Sequence, residues 1–298
     1  MAAQIEPGLS LSQALRQAIL LELSAARHCA QALGNVSDEA LHEMRKHIKR
    51  ARALLRLRPR TKAAERAQHE LRSAAHWLGP AREEVAELEC IRALAQSELA
   101  VDLAHPLREL ADRLAGTREL VAGTGALTDA LRGAAAHLAR AHEQLAEWAP
   151  PEQGFSLIAP GLRATYARGR KAFSHALAER SSENLHALRR HAKSQFYQLN
   201  LLEPVWTGQI EAFRDELDEL TTALGEHHDL SLLSPGIGQR ICLPAAADDQ
   251  LLSARLAQRL EEIVARVLPL ARRVYAERPR AFVARHAEYF AAWSEEVG

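Results

Sequence analysis

At 298 residues the chain is long enough for one large or two medium domains with a substantial core. Apolar residues make up 47% and aromatics only 5%, with Ala, Leu, Arg and Glu dominant, which favours an all-α globular protein and excludes a disordered or collagen-like chain. Lys plus Arg and Asp plus Glu number 38 each, so the formal net charge is zero, yet the charge is uneven. His42 to Lys62 carries nine Lys/Arg against Glu43 alone, while Glu211 to Asp229 carries seven acids against Arg214. Such segregation creates a local field able to steer an anion. No run approaches the roughly 20 apolar residues that span a bilayer. Cys29, Cys90 and Cys242 are odd in number, far apart and outside any CxxC, and read as small buried hydrophobes in a reducing compartment. With no signal-peptide pattern at the N-terminus, the expectation is a cytoplasmic protein without a membrane partner.

Ser10 caps a first predicted helix that runs to about Leu33 and ends at Gly34-Asn35. Ser37 or Asp38 caps a second, from Glu39 or Ala40 to Leu57, stopped by Pro59. A third runs from about Thr61 to Leu78 and a fourth from about Ala81 to Val101. Shorter pieces separated at Pro106, Gly116 and Gly123-Thr124-Gly125 follow, then a helix from Leu127 to Trp148. Residues 149–155, rich in Pro and Gly, predict a hinge. Beyond it, helices are expected over Pro160 to Ala178, from Ser181 or Ser182 to about Glu203, and over Gly208 to Leu224, ending at Gly225. Leu233 to Asp249 reads as a loop, and two last helices fit Asp249 to Val267 and Leu268 to Trp293, the latter broken at Pro279. Trp77, Trp148, Trp206 and Trp293 fall near helix ends and read as packing residues.

The helix from Glu39 or Ala40 and the helix from Ser181 or Ser182 share a pattern. Leu41-His42-x-x-Arg45-Lys46-His47-x-Lys49 recurs as Leu185-His186-x-x-Arg189-Arg190-His191-x-Lys193, displaced by 144 residues. The register extends to Ala32, Leu33, Ser37 and Glu39, which match Ala176, Leu177, Ser181 and Glu183. Leu78-Gly79 and Leu224-Gly225 align at a displacement of 146. The repeat is too long for a solenoid. Two helical bundles around a pseudo-twofold axis fit it, as halves 9–148 and 156–293 of one domain spanning 9–293.

On a helix, His42, Arg45, Lys46, Lys49 and Arg56 share one face, while Leu41, Met44, Ile48, Ala51 and Leu55 share the opposite one. His186, Arg189, Arg190 and Lys193 do the same, continued by Tyr197 and Asn200. The preceding helix offers Arg163, Tyr166 and Arg170, with Lys171 beside them and Arg27 as its counterpart in the first half. A cationic face on one helix is ordinarily just solvated. Here acidic partners four residues away are nearly absent from the first basic helix, and the second copy keeps the phase. Guanidinium forks, mobile ammonium groups and imidazole donors along a groove suit an extended polyanion. Crowding by cations is also expected to depress the pKa values of His42 and His186 until an anion binds.

The Leu-His-x-x-Arg-Lys-x-x-Lys helix, the Leu-Gly-x-x-Arg-Glu and Leu-Gly-x-x-His-Asp turns, Gly161-Leu162-x-x-x-Tyr166-x-x-Gly169-Arg170, and Tyr275-Ala276-Glu277-Arg278-Pro279-Arg280-Ala281-Phe282 together resemble a CHAD domain, the conserved histidine α-helical domain. The likeness runs from about Leu9 to Trp293. It implies two pseudo-symmetric four-helix bundles around a central basic pore, non-catalytic binding of inorganic polyphosphate, and association with polyphosphate granules in bacteria. By matching positions it marks His42, Arg45, Lys46, Lys49, Arg50, Arg52, Arg56, Tyr166, Arg170, Lys171, His186, Arg189, Arg190, Lys193 and Tyr197, and less firmly Arg82, His228 and Arg280. Granule proteins or enzymes of phosphate metabolism are further candidate partners, and no cofactor is implied.

Two departures stand out. Ser194 occupies the place of Arg50 in the second copy, and Glu22 and Ala26 stand where Tyr166 and Arg170 are expected in the first, so Glu22 is expected to face away from the pore. A triphosphate-tunnel partner domain would need Glu-x-Glu-x-Lys, and Glu87-Leu88-Glu89-Cys90-Ile91 lacks the Lys. Glu226-His227-His228-Asp229 diverges around a helix and is no metal motif, and no nucleophile motif surrounds a cysteine. Nucleic acid is the runner-up ligand, disfavoured by the neutral charge and by Tyr166 and Tyr197 being the chief aromatics on the basic faces.

Overall fold

The computed structural model describes residues 4–31, 38–59, 61–122, 126–146, 148, 154–233, 243 and 246–297. Among them the chain is all-α, with no strand. The helices are α1 (Leu11–Gln31), α2 (Asp38–Leu55), α3 (Lys62–Trp77), α4 (Gly79–Gln96), α5 (Ala104–Ala122), α6 (Ala126–Ala146), α7 (Ala159–Ala178), α8 (Ser182–Leu202), α9 (Thr207–Leu233), α10 (Ala246–Val274) and α11 (Pro279–Val297).

Local signals account for most starts. Ser10 and Gln13 form a reciprocal capping pair, with the Gln13 amide donating to Ser10 Oγ at 3.2 Å and the Ser10 amide to Gln13 Oε1 at 3.0 Å. Thr61 Oγ1 accepts from the Ala64 amide and caps α3. Ser181, rather than Ser182, caps α8 through the Asn184 amide. Ser37, Gly34-Asn35 and Gly123-Thr124-Gly125 lie outside the described residues, as do 149–153 of the expected hinge.

Three boundaries differ from expectation. Gly116 sits inside α5, and Pro106 falls in its first turn, where a missing amide costs nothing. α9 runs through Gly225 to Leu233 because Leu224, Leu230 and Leu233 keep it buried on both sides of the glycine. α10 runs through Pro269 to Val274, held by the buried stripe Ile263, Val264, Val267, Leu270 and Ala271. The break falls instead at 275–278, and Pro279 opens α11.

Packing follows the apolar stripes. Leu15, Ile19 and Leu23 of α1 and Leu41, Met44 and Ile48 of α2 are buried, and the two helices pack together. Each such side chain contributes roughly 1.5–3 kcal/mol when removed from water. α6 packs on α1 and α3. On the other side, α8 lies against both α7 and α9, α10 against α9, and α11 against α7. α4 joins α5 to α9. The two sets of helices meet where α2 packs on α8, which brings the two basic segments together.

Candidate functional site

The seam between α2 and α8 is tied by side chains. Gln198 Nε2 donates to the Ala53 carbonyl at 2.9 Å and to Thr165 Oγ1 at 3.1 Å, which links α8 to α2 and α7. Arg56, in the turn after α2, donates through Nη1 to Ser194 Oγ at 2.7 Å, and Ser194 donates in turn to the Arg190 carbonyl at 2.9 Å. α7 begins hard against this turn. A Cβ at Gly161 would lie 2.6 Å from Leu57 Cα, so only glycine permits the approach.

One end of the seam gathers guanidinium groups. Burial, then the charges of Arg52, Arg168, Arg190 and Arg72, push the Arg56 pKa down to about 10. Burial, then Arg72 and Arg190, lower Arg52. His191 stands beside them, pushed down to about 4 by burial first, then by Arg190, Arg56 and Arg168. Among the described residues, the charges named as acting on these three groups are all guanidinium groups. Such a cluster is costly unless an anion is held there.

The other end mixes ammonium and imidazole groups. His186 and His228 lie ring against ring, with centroids 4.3 Å apart and planes tilted 41°. His186 Nδ1 is buried without a hydrogen-bond partner. Its pKa falls to about 4, through burial first, then His228, Arg190, Arg189 and Lys49. The expected depression of His186 is therefore present, but desolvation leads and the crowding of cations comes second. Burial also lowers His228, against the opposing pull of Asp229. A Cβ at Gly225 would lie 3.1 Å from Arg189 Nη2, so this glycine serves close packing of α9 on Arg189 rather than a helix end. Lys193 is shared, at 3.0 Å from Asp218 Oδ1 and 3.4 Å from Thr221 Oγ1, with its ammonium 4.4 Å from the Phe196 ring centroid.

The remaining expected residues divide. On α2, His42 and Lys49 are exposed, Lys46 pairs with Glu43 at 2.9 Å, and Arg45 Nη1 reaches the Ala75 carbonyl at 3.4 Å. Arg50 lies 5.8 Å from the ring centre of Tyr197, which is mostly buried and whose hydroxyl pKa burial raises. Tyr166 is fully buried. It stacks on Phe282 at 4.1 Å, and its hydroxyl lies 3.1 Å from the Val274 carbonyl and 3.3 Å from that of Glu277. Arg170 donates to the carbonyls of Glu277 and Ala276. These two residues fasten α7 to the turn between α10 and α11 instead of joining the cations. Arg163 and Lys171 are exposed on α7, and Arg280 is exposed in the first turn of α11. Arg27 acts on His142 of α6. Arg82 lies on α4, its side chain outside the described residues. Glu22 of α1 packs against α2. It is buried, accepts from His47 Nδ1 at 2.6 Å, and lies 3.9 Å from Arg50.

Sequence reasoning missed Arg72, Arg168 and His191 as members of the guanidinium end. His191 had a usable signal, since it repeats His47 within the motif. Arg72 sits on α3 with no motif around it, and Arg168 occupies an unspecified position between Tyr166 and Gly169 on α7, so only packing brings the two in. Elsewhere, Cys29 and Cys90 are free and half-buried, burial pushes the Cys90 thiol up to about 12, and Cys242 lies outside the described residues. Among the described residues no three His, Cys, Asp or Glu side chains converge as a metal-holding group, and no helix is long and apolar enough to cross a membrane.

A family model described as the CHAD domain matches residues 17–235. The chain belongs to the CHAD family. The match contains α2, α3, α7, α8 and α9, and hence every member of the cation seam. The crystal structure of the CHAD domain from the plant Ricinus communis superposes with a TM-score of 0.55 at 17% identity, over 91% of this chain and 94% of that one, which shows a shared CHAD fold. That overlay covers more of this chain than the matched span does. A search of curated proteins found no match.

Proposed function

We propose that this CHAD domain binds inorganic polyphosphate without catalysis, along a basic pore between α2 and α8, and that it associates with polyphosphate granules in the cytoplasm. Family membership supports a polyphosphate-related role. The observation that carries the reading is the continuity of positive charge along the seam. Lys49 and Arg189 lead past the neutral His186 ring through Arg190 to Arg52, Arg56, Arg72 and Arg168. A linear polyanion meets one cation after another on such a track, and a compact anion does not use its length. Guanidinium, ammonium and imidazole groups grip phosphoryl oxygens but form no pairing of nucleophile and base. In this reading the sets α1–α2–α3–α6 and α7–α8–α9–α10 are duplicated bundles facing each other across the pore. Partners among granule proteins or phosphate-metabolising enzymes would meet the domain through the shared polymer.

Calorimetric titration with polyphosphates of defined length, at two salt concentrations and with duplex DNA as competitor, tests the proposal. Affinity should rise with chain length, fall steeply with salt, and be lost in Arg56→Glu/Arg190→Glu. Equal displacement by duplex DNA would transfer the site to nucleic acid. Phosphate release on incubation, with or without Mg²⁺, would overturn the non-catalytic part.

A further inference from the structure

The two ends of the seam differ in charge density, and the difference has a chemical reading. At one end Arg52, Arg56, Arg72, Arg168 and Arg190 converge from α2, its following turn, α3, α7 and α8, with His191 beside them. Arg52 Nε is buried without a hydrogen-bond partner among the described residues, and Arg56 donates to Ser194, a neutral acceptor. Arg72, Arg168 and Arg190 form an exposed rim over these half-buried groups. At the other end the cations are diluted. Lys193 is engaged by Asp218, Asp229 acts on His228, and the two tilted imidazoles in contact favour the neutral form.

A linear polyphosphate has two kinds of phosphoryl group. An internal unit has two unbridged oxygens and one negative charge. A terminal unit has three such oxygens and a second ionisation near about pH 6, so its charge approaches two in neutral solution. Five guanidinium forks match a group with three acceptor oxygens and double charge, and no internal unit can fill them as well. The mixed Lys/His end suits units that carry single charges.

Resting on the polyphosphate reading above, we propose that the guanidinium nest is a chain-end subsite: it takes the terminal phosphoryl group, and the rest of the polymer runs from it along α8 toward His186 and His228. The domain then counts polymer ends as well as polymer charge, with either of the two equivalent ends held in the nest.

The test compares polyphosphate with free ends against the same polymer with both ends capped as phosphoramidates, which changes the total charge of a long chain very little. The parent protein should bind the free-ended form about tenfold more tightly. Arg72→Gln/Arg168→Gln, confined to exposed positions, should erase that preference while keeping most of the affinity for the capped form. Lys49→Gln/Lys193→Gln should weaken both forms equally and keep the preference. Arg52→Gln, with its thermal melt followed alongside, checks the buried floor and should also erase the preference. Equal binding of capped and free polymer by the parent would overturn the chain-end subsite and leave polyphosphate binding standing. Persistence of the preference in Arg72→Gln/Arg168→Gln would likewise overturn it. Failure to bind either form would overturn both readings.

Discussion

α2 and α8 carry the same Leu-His-x-x-Arg-[Lys/Arg]-His-x-Lys pattern, and the structure gives the two copies different electrostatic roles. In α2, His47 meets the buried Glu22 carboxylate, Lys46 is held by Glu43, and Arg45 reaches a backbone carbonyl. In α8, His191 has Arg190, Arg56 and Arg168 for neighbours, and His186 lies tilted against a second imidazole. The counterpart of Glu22 is Tyr166, which carries no charge and is spent on packing against Phe282. The Glu22 carboxylate therefore sets His47, which meets an acid, apart from its repeat His191, which meets only cations among the groups named, although α8 also has a paired cation in Lys193. A motif specifies which side chains share a face, and the neighbouring helix decides what that face meets.

The comparison can be broken first by reversing charge on each copy in turn. Arg189→Glu/Arg190→Glu should lower polyphosphate affinity by at least about a hundredfold, and Arg45→Glu/Lys46→Glu by about tenfold, read by calorimetry at one salt concentration. Equal losses would mean that the two helices contribute alike and that the pairing of Lys46 with Glu43 does not matter.

Glu22→Gln addresses the asymmetry itself. Removing the buried carboxylate should cost about 1–3 kcal/mol of stability, because His47 and Arg50 lose a charged acceptor. It should also strengthen polyphosphate binding, since a negative charge leaves the first copy. Denaturant melts and titration on the same sample check both, and a weaker polyphosphate complex would contradict the role assigned to Glu22.

The pH dependence should come from the α8 side. His186 and His191 are pushed to about 4 in the folded protein, below the ordinary value near 6.5. Between these values the unfolded chain binds more protons than the folded one, so stability is complete near pH 7 and declines as pH falls through 6.5 toward 4. Bound polyphosphate favours the charged imidazoles, so binding at pH 6 should take up protons and saturating polymer should flatten the decline. Titration in buffers of different ionisation enthalpy measures the uptake, and its absence would disconnect these histidines from the ligand.

The smallest effect is expected at Gly225. An alanine there would press on Arg189 at 3.1 Å, and the flexible guanidinium can yield. Gly225→Ala should lower affinity roughly twofold and leave the melt nearly unchanged. A large fall in stability would show that the glycine is needed by the helix backbone rather than by Arg189.

Much of this was legible in the chain. Ser10, Thr61 and Ser181 announce their helices because a cap is a contact between residues three apart. Leu41, Met44 and Ile48 announce a buried face because helical periodicity is local. The helix through Pro269 was not legible, since a proline predicts a stop and only the surrounding buried stripe overrides it. Tyr166 and Arg170 were placed on the cationic face by their spacing, yet their polar atoms reach carbonyls more than a hundred residues away.

The sequence by itself determined the all-α class, the duplicated basic motif and the segregation of charge, all of which are carried by composition and by spacings within a turn or two of helix. Tertiary structure alone decided that Arg72 and Arg168 join Arg52, Arg56 and Arg190, that His186 meets His228 ring to ring, and that Glu22 turns inward to His47. Each of those depends on which helices pack side by side. Burial then sets the strength of every charge at the seam, because an ionised group loses its water only where a neighbouring helix covers it.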